Sequence, residues 1–349
     1  MTFIMAGPIH EFSHLPRPRQ GANSAWRASR NARADGAPPK VGLIYNPRSH
    51  HNKGQDLTSK VSPDVFVAQP GNRDQLPDAL ARLAERGIDL LVINGGDGTV
   101  RDVLTCGEPI FGDDWPVVAV LPKGKTNALA VDLGGPSDWT LQCALDAFEN
   151  GKRIRRSPMA ITPLDQPDAR VLGFILGAGA FTLGTKAGQS AHKLGAFNSL
   201  AVGVTTLWGI LQAVFGSRAN PWRRGAKMDI RLAPNGVPLE HSGMGEADRR
   251  LILLASTLER FPGGIRPFGS LGKGLKLAVL DQISRWMTLM LPAILFERGP
   301  KNLRERGFHQ LAAKSFDFEL DDQFILDGEA FPAGRYRIEA GPEIEFVAP

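Results

Sequence analysis

The residues best suited to chemistry run from Asn94 to Thr99, Asn-Gly-Gly-Asp-Gly-Thr, and directly follow the apolar run 89–93. A buried strand that enters consecutive glycines and then a helix presents bare backbone N–H groups to a phosphate. Asp97 within this loop would repel a phosphate unless it holds Mg2+ or handles a proton. A tight turn built on Asp-Gly is the alternative. The loop therefore predicts an anion-binding site in which Asp97 has a chemical role.

A second loop of the same kind follows the apolar run 116–121. It reads Pro-Lys-Gly-Lys-Thr-Asn over residues 122–127, and helical residues come next. Its glycine, hydroxyl and two lysines at a helix N-terminus suit an anion, although a capped turn would use the same residues. The candidate contacts in this loop are Gly124, Lys125, Thr126 and Asn127.

A third polar segment, Asn46-Pro47-Arg48-Ser49, follows the first apolar run of the ordered sequence. Apolar runs at 41–45, 64–68, 89–93 and 116–121 predict strands, and apolar residues at helical spacing predict helices near 73–86, 100–106, 127–133 and 138–150. Apolar strands that alternate with helices are typical of a parallel sheet covered on both faces. The first half is therefore predicted to be α/β, with the three polar loops bordering one crevice at the carboxyl edge of its sheet.

The pattern changes after Gly151, where Gly and Pro punctuate many short apolar segments. Strands are predicted at 171–176, 227–232, 251–255, 275–280, 315–320, 323–326 and 335–340, with helices at about 186–216 and 282–298. Many strands with long connections indicate an antiparallel β-sandwich. We predict a flexible basic extension over 1–39, an α/β domain over 40–152 and a β-rich domain over 153–349.

The composition excludes several classes of protein. The 349 residues are 42% hydrophobic and 22% charged, which is typical of a soluble globular chain rather than a disordered or polytopic membrane protein. The first 40 residues hold six bases and two acids and so account for most of the net charge of +5, which argues against a folded basic face for nucleic acid. Two cysteines without metal-ligand spacing favour the reducing cytosol.

Four motifs in a fixed order carry a resemblance to a known family. Asn-Pro-x-Ser begins at Asn46, Gly-Gly-Asp-Gly-Thr at Gly95, Leu-Pro-x-Gly-x-x-Asn at Leu121 and Asp-Gly-Glu at Asp327. Over about residues 41–349 the chain resembles the diacylglycerol kinase catalytic-domain family, which includes bacterial lipid kinases and is related to the sphingosine and ceramide kinases. The glycine motif alone is shared with NAD kinases and phosphofructokinases, so the order and spacing of all four motifs carry the resemblance.

The resemblance implies a role for each motif. The family's nucleotide-binding segments match Asn46, Pro47, Arg48, Ser49, Gly95, Gly96, Asp97, Gly98 and Thr99, and its phosphate-side loop matches Gly124 and Asn127, with Lys125 and Thr126 between them. Asp97 matches the family's essential aspartate. Asp327 and Glu329 match the carboxylates of the second domain, where the family places the base that acts on the lipid hydroxyl. The implied fold is a Rossmann-like domain, of the NAD kinase and diacylglycerol kinase type, followed by a lipid-binding β-sandwich.

Several positions depart from the family pattern. His50-His51 stand where a glycine is usual, Arg101-Asp102 replace Asn-Glu, and Lys125 replaces a threonine. A lysine at that position would add a charge-assisted phosphate contact or alter the nucleotide preference. None of these changes removes the three matched carboxylates, which favours an active enzyme over an inactive relative.

The leading hypothesis is a lipid kinase that uses ATP and Mg2+ to phosphorylate a hydroxyl of diacylglycerol or of a sphingoid lipid such as ceramide. The alternatives are a soluble NAD kinase and a catalytically inactive, nucleotide-binding regulator at the membrane. The uncharged segment 194–217 suits an interfacial segment and a buried one equally, whereas for 286–296 packing inside the second domain is favoured. The expected location is the cytoplasm, with peripheral attachment to the inner face of the membrane. A homodimer and the identity of the metal ligands are left open.

Overall fold

Three β-sheets organise the parts of the chain that the computed structural model describes, which are residues 12, 15, 21–29, 37–52, 65–183, 220–282 and 284–349. The first sheet has the spatial order β2 (Val65–Ala68), β1 (Val41–Tyr45), β3 (Leu90–Gly95), β4 (Val117–Pro122), β19 (Ile344–Ala348) and β5 (Lys152–Arg156). Its first five strands run parallel, and β5 is antiparallel to β19. We call this sheet and its helices the first lobe.

Amphipathic helices cover both faces of the first sheet, as the α/β prediction requires. They are α2 (Leu76–Glu85), α3 (Asp97–Phe111), α4 (Ala128–Leu133) and α5 (Leu141–Asn150). Alternate residues of each strand point to opposite faces, so Ile93 packs with Leu80 of α2 while Val92 belongs to the core that holds Ala144 of α5. Helix α3 begins earlier than predicted, because Asp97, Gly98 and Thr99 form its first turn.

Helix α1 (Ala22–Ser29) contradicts the prediction that residues 1–39 form a flexible extension throughout. Trp26 is fully buried, its ring centre lies 5.0 Å from that of Phe111, and its Nε1 donates a hydrogen bond to the carbonyl oxygen of Asp114 at 2.7 Å. A single buried aromatic residue in a short, alanine-rich segment gives little periodic signal, which is why the sequence did not reveal this helix.

The remaining two sheets are antiparallel and form the second lobe. One has the order β10 (Val237–Pro238), β9 (Ala226–Leu232), β15 (Ser315–Leu320), β18 (Gly334–Ala340), β6 (Met159–Pro163) and β7 (Val171–Gly173), with β11 (Arg249–Arg250) also paired to β9. The other has the order β14 (Phe308–Ala312), β13 (Lys276–Leu280), β12 (Ile252–Ser256), β8 (Ile175–Gly179), β16 (Phe324–Leu326) and β17 (Glu329–Phe331). Met228 and Phe318 of one sheet share a core with Leu253 and Leu277 of the other, which confirms the predicted β-sandwich.

Helices α6 (Pro221–Arg224) and α7 (Arg285–Leu295) lie in the second lobe. The helix predicted at 186–216 and the uncharged segment 194–217 lie outside the described residues. The predicted strand 171–176 is divided at Phe174, because β7 and β8 belong to different sheets.

The first sheet also contains strands from the segment 153–349 that the sequence assigns to the second domain. Phe346 of β19 pairs with Val118 of β4, and all five residues of β19 pair with β5. The chain therefore builds the second lobe and then returns to the first. The local sequence of β19 does not show that this strand belongs to the first sheet or which strands it pairs with, since the pairing of distant strands depends on tertiary contacts.

Candidate active site

The two glycine-containing loops lie against each other at the ends of neighbouring strands. Gly95 of β3 is paired with Pro122 of β4, and the Lys123 N–H donates to the Gly95 carbonyl oxygen at 3.1 Å. A Cβ placed on Gly96 would lie 2.8 Å from Gly124 Cα, and one placed on Gly124 would lie 2.7 Å from Gly96 Cα. Both positions therefore require glycine for the close approach of the backbones, and the predicted crevice between the loops has this contact as its floor.

The segment Asn46–Ser49 joins the glycine loop through the side chain of Asn46. Asn46 Nδ2 donates to Thr99 Oγ1 at 2.8 Å, and Asn46 Oδ1 accepts the Arg48 N–H at 3.0 Å. Asn52, which the sequence did not single out, is fully buried and donates from Nδ2 to the Asn46 carbonyl oxygen at 2.9 Å and to Asn94 Oδ1 at 2.7 Å. These contacts hold the first loop to the glycine loop.

A pocket of about 320 Å3 opens beside this junction. Its lining includes Asn46, Pro47, Arg48, Gln69, Pro70, Gly71, Asn72, Arg73, Thr99 and Asp102. The residues after β2 and Asp102 were not predicted, although the loop after β2 ends a strand of the same parallel sheet and lies at the same edge. Arg73 Nη2 lies 3.0 Å from Asp102 Oδ1, so the pocket has a charged wall as well as the polar loop residues.

Not every predicted contact residue faces this junction. Ser49 is buried, whereas Lys125 and Thr126 are exposed. Asn127 adopts the left-handed conformation with φ 51°, and its side chain accepts the Gly124 N–H at 2.7 Å and donates to the Gly124 carbonyl oxygen at 3.0 Å. The amide of Asn127 therefore shapes its own loop, and its part in the site is to fix the backbone of Gly124.

Asp97 is the first residue of α3 and is half-buried between the two loops. Burial raises the pKa of its carboxyl group, and hydrogen bonds from the backbone at Asn127, Ala128 and Leu129 oppose that rise. The carboxylate thus faces the N-terminal end of α4, where backbone N–H groups favour negative charge. This position leaves Asp97 able to hold a cation or exchange a proton.

Asp327 lies in a tight turn between β16 and β17. It has φ 46° and Gly328 has φ 85°, and Leu326 pairs with Glu329 across the turn. The sequence predicted a hairpin from 323–326 to 335–340, but β16 pairs with β17 instead. Glu329 consequently begins a strand rather than lying in a turn.

The carboxylate of Asp327 is held by the backbone where β8 begins. Asp327 Oδ1 accepts the Ile175 N–H at 2.9 Å, and Oδ2 accepts the Phe174 N–H at 3.0 Å. Burial raises the pKa of Asp327 to about 7, and repulsion from the Asp97 carboxylate adds to the rise, while Arg101 and the two N–H groups oppose it. Asp97, from the first lobe, therefore contributes to the raised pKa of Asp327, from the second lobe.

Arg101 was noted in the sequence only as a departure from the family pattern, yet it joins the two lobes. It lies on α3 with 1% of its side chain exposed. Its Nη1 donates to the Leu326 carbonyl oxygen at 3.1 Å, and its Nη2 lies 2.8 Å from Asp102 Oδ1 and 3.4 Å from Glu329 Oε1. The guanidinium thus fixes the turn that carries the second lobe's carboxylates against the glycine loop of the first.

The site gathers carboxylates without forming a complete metal centre. Among the described residues, no group of three or more His, Cys, Asp or Glu side chains is arranged to hold a metal ion by itself. A cation at Asp97 would need further oxygen ligands, such as those of phosphates or water.

Comparison with known proteins agrees with the motifs. Residues 40–159 match the family of the diacylglycerol kinase catalytic domain. A diacylglycerol kinase of Bacillus subtilis (strain 168) is 28% identical, in a match that covers 71% of this chain and 78% of the relative.

Solved structures share the fold at low sequence identity. The structure of a diacylglycerol kinase from Bacillus anthracis str. Sterne has a TM-score of 0.56 at 17% identity, and the match covers 89% of this chain and 97% of that one. A second structure from the same organism gives a TM-score of 0.61 at the same identity and coverage. The motifs, the matched domain and the shared fold agree, and the predicted resemblance is confirmed: residues 40–159 are similar to the catalytic domain of the diacylglycerol kinase family.

Proposed function

We propose that this protein is an ATP-dependent lipid kinase that transfers the γ-phosphate to a hydroxyl of a membrane lipid, either diacylglycerol or a sphingoid lipid such as ceramide. The observation that carries the proposal is that Arg101, on the helix that begins at Asp97, holds the turn of the second lobe that contains Asp327. Its Nη1 donates to the Leu326 carbonyl oxygen at 3.1 Å and its Nη2 lies 3.4 Å from Glu329 Oε1. A phosphoryl-transfer enzyme needs such an arrangement, because the acceptor must meet the terminal phosphate in line.

The triphosphate is proposed to lie along the contact between Gly96 and Gly124. Both glycines bring bare backbone to the surface of the crevice, and the N-terminal end of α3 begins at Gly96. The nucleoside would occupy the pocket lined by Asn46, Arg48 and Arg73, which adjoins the glycine loop at Thr99. Lys125 is exposed beside this contact, so its side chain is suited to reach a phosphate of bound ATP.

Asp327 is the proposed general base. Its pKa of about 7 is near the pH at which a cytoplasmic enzyme works, which is the condition for efficient proton transfer. The carboxylate takes the proton of the lipid hydroxyl, and the hydroxyl oxygen bonds to the γ-phosphorus. The bond between the γ-phosphorus and the β–γ bridging oxygen breaks, and ADP leaves with that electron pair. Glu329, which contacts Arg101, is assigned to positioning the turn.

Asp97 is the residue that would hold Mg2+. Its carboxylate is half-buried and has a raised pKa, and its charge also raises the pKa of Asp327, so a divalent cation bound there would lower the cost of both charges. When bound with ATP, Mg2+ neutralises charge on the phosphates. The chain's own part is to orient that carboxylate through the backbone of residues 127–129.

A lipid panel tests the proposal directly. The purified protein is incubated with ATP labelled at the γ-phosphate and, separately, with diacylglycerol, ceramide, sphingosine and NAD, and the products are separated by thin-layer chromatography. Label on one of the lipids supports the proposal, and label on NAD alone overturns it in favour of a soluble kinase. ATP binding without any labelled product would favour the inactive regulator.

A matched pair of variants connects the turnover to the site. Asp97→Asn should abolish labelling while preserving the fold, whereas Asp113→Asn changes an exposed aspartate just beyond α3 and should leave labelling unchanged. Labelling by Asp97→Asn near the level of the unchanged protein would remove Asp97 from the mechanism.

A further inference from the structure

Helix α7 turns a row of large apolar side chains outward. Trp286 and Leu289 of α7 are 64% and 53% exposed and lie one turn apart on the same face, and Phe296, which directly follows the helix, is 51% exposed. The opposite face carries Met287 and Ile294, which are buried in the core. The sequence favoured packing of the whole stretch inside the second lobe, and this holds only for that inner face.

Basic residues surround the outward face. The stretch 285–306 contains five bases and two acids. Arg285 lies at the first turn of α7, and Arg298 and Lys301 are exposed just beyond its end. An apolar face with cations at both ends complements a surface that offers acyl chains beneath negative headgroups.

The helix is suited to lie in the plane of such a surface rather than to cross it. With 11 residues, α7 falls well short of the length needed to span the hydrocarbon core. Among the described residues, no helix is long and apolar enough to cross a membrane. An exposed tryptophan at one end of the row matches the preference of that side chain for the boundary between water and lipid.

We propose that the outward apolar surface of α7 and its C-terminal end, formed by Trp286, Leu289 and Phe296 and flanked by Arg285, Arg298 and Lys301, docks on the surface of an anionic lipid bilayer. The inference deepens the proposed function, because an enzyme whose acceptor is a membrane lipid must hold its site against the bilayer. The proposed partner is a lipid surface, because the cations at the helix ends complement anionic headgroups and the apolar side chains complement acyl chains.

The docked helix would be connected to the candidate active site through one loop. The Arg266 N–H donates to the Leu295 carbonyl oxygen at 2.6 Å, and Arg266 Nη1 lies 2.6 Å from Glu297 Oε2, so the loop that follows β12 is fixed to the end of α7. That loop lines a pocket of about 530 Å3 together with Val131 of α4, the helix whose N-terminal end faces Asp97. Docking would therefore bring the bilayer to the side of the molecule that borders α4.

Vesicle co-sedimentation tests the docking. The full chain is mixed with vesicles of phosphatidylcholine alone or of phosphatidylcholine with phosphatidylglycerol. We expect binding to the vesicles that contain phosphatidylglycerol, and a loss of about tenfold in the partition coefficient for the double variant Leu289→Ser, Phe296→Ser. Arg298→Gln with Lys301→Gln should weaken binding to the anionic vesicles by about 30-fold, since each of the two bases near the lipid contributes about 1 kcal/mol.

Val237→Ser is the matched control, because Val237 is 54% exposed and lies on β10, away from α7. It should bind the vesicles as the unchanged protein does. Equal binding by the Leu289→Ser, Phe296→Ser variant and the unchanged protein, or no vesicle binding by the unchanged protein, overturns the proposal. A change from dimer to monomer in that variant without any change in vesicle binding would also overturn it and would assign the face to a second copy of the chain.

A water-soluble, short-chain diacylglycerol separates this proposal from the proposed function. The α7 variants should phosphorylate it as fast as the unchanged protein, because no bilayer is involved. Vesicle binding that depends on α7 without turnover of any lipid would leave the docking intact and overturn the lipid kinase. Turnover of the short-chain substrate together with vesicle binding that does not depend on α7 would support the lipid kinase and overturn the docking of α7.

Discussion

Arg101 Nη2 and Glu329 Oε1 lie 3.4 Å apart and connect two residues that come from different lobes. The guanidinium has its other contacts at Asp102 and at the carbonyl oxygen of Leu326, so one buried cation touches both sides of the candidate site. Its charge lowers the pKa of Asp327 relative to the value that burial alone would give. Arg101 therefore couples the position of the turn to the charge of the proposed base.

Arg101→Met should lower both stability and activity. The variant removes a buried guanidinium and its hydrogen bond to the Leu326 carbonyl oxygen, but Asp102 keeps Arg73 and both carboxylates are partly exposed, so we expect a cost of about 1–3 kcal/mol in the free energy of unfolding. Arg101→Lys keeps the charge without the forked geometry, and we expect it to retain more stability but to lower kcat by about 100-fold. Denaturant unfolding and steady-state kinetics measure the two effects.

The pH profile shows whether Arg101 acts on Asp327 or only on the fold. Without the guanidinium the pKa of Asp327 rises further, so the acid limb of kcat for Arg101→Met should move upward by about one pH unit. Arg231→Met removes an arginine of an exposed ion pair with Asp229 and should change neither the stability nor the acid limb of kcat. An unmoved acid limb in Arg101→Met would limit Arg101 to a structural role.

Asp327→Asn should lose activity and gain stability at alkaline pH. The raised pKa of Asp327 means that the folded protein holds this proton more tightly than the unfolded chain does. The contribution of Asp327 to stability is therefore greatest below its ordinary pKa and is lost as the pH rises through about 7. Asparagine cannot ionise, so at pH 8 the variant should be more stable by about 1–3 kcal/mol and should lose at least about 100-fold in kcat.

Thermal unfolding at acid and alkaline pH checks the sign. The higher stability of Asp327→Asn relative to the unchanged protein should be present at the alkaline pH. It should be absent at a pH below 4, where residue 327 is uncharged in both proteins. An advantage of equal size at the two pH values would show that it does not arise from ionisation.

Gly96→Ala should separate the two glycine loops. Its Cβ would lie 2.8 Å from the backbone of Gly124, so one of the two loops must move. We expect a loss of about 1–3 kcal/mol in stability and a rise of at least about tenfold in the KM for ATP. Gly272→Ala is the control, since a Cβ there meets nothing within 4 Å. A Gly96→Ala protein with unchanged KM for ATP would show that the loop contact does not shape the proposed nucleotide site.

Trp26→Ala should destabilise the first lobe by about 3–5 kcal/mol, as the loss of a fully buried aromatic side chain does elsewhere. Denaturant unfolding measures the effect. Trp286→Ala removes the same side chain from an exposed position on α7 and should change stability by less than about 0.5 kcal/mol. Equal stability of Trp26→Ala and the unchanged protein would mean that α1 contributes nothing to the fold.

The sequence was sufficient where a local pattern determines the structure. The apolar runs before Asn46, Asn94 and Lys123 form β1, β3 and β4, and three loops meet at the edge of their sheet as the parallel order requires. The β-sandwich also followed from the spacing of apolar segments and turns. These are short-range signals with a period of two or with glycines at fixed places.

The parts that the sequence missed depend on partners far away in the chain. In the sequence, Arg101 looks like an ordinary residue on the surface of a helix. Nothing near it shows that its side chain donates to the carbonyl oxygen of Leu326, 225 positions later. The burial of Asn52 depends on Asn94 in the same way. Helix α7 was misjudged for a related reason: an apolar helix has one face on the core, and its composition does not tell whether the other face is covered.

The placement of β19 between β4 and β5 has a consequence for biosynthesis. A ribosome releases β4 long before it has made Phe346, so the nascent chain carries an open parallel edge while the whole sandwich is being translated. An open edge of apolar strands is a site for mispairing with other chains. Any attempt to express residues 40–152 as a separate unit would leave that edge permanently unfilled, and the strand that completes the first lobe is among the last parts of the chain to be made.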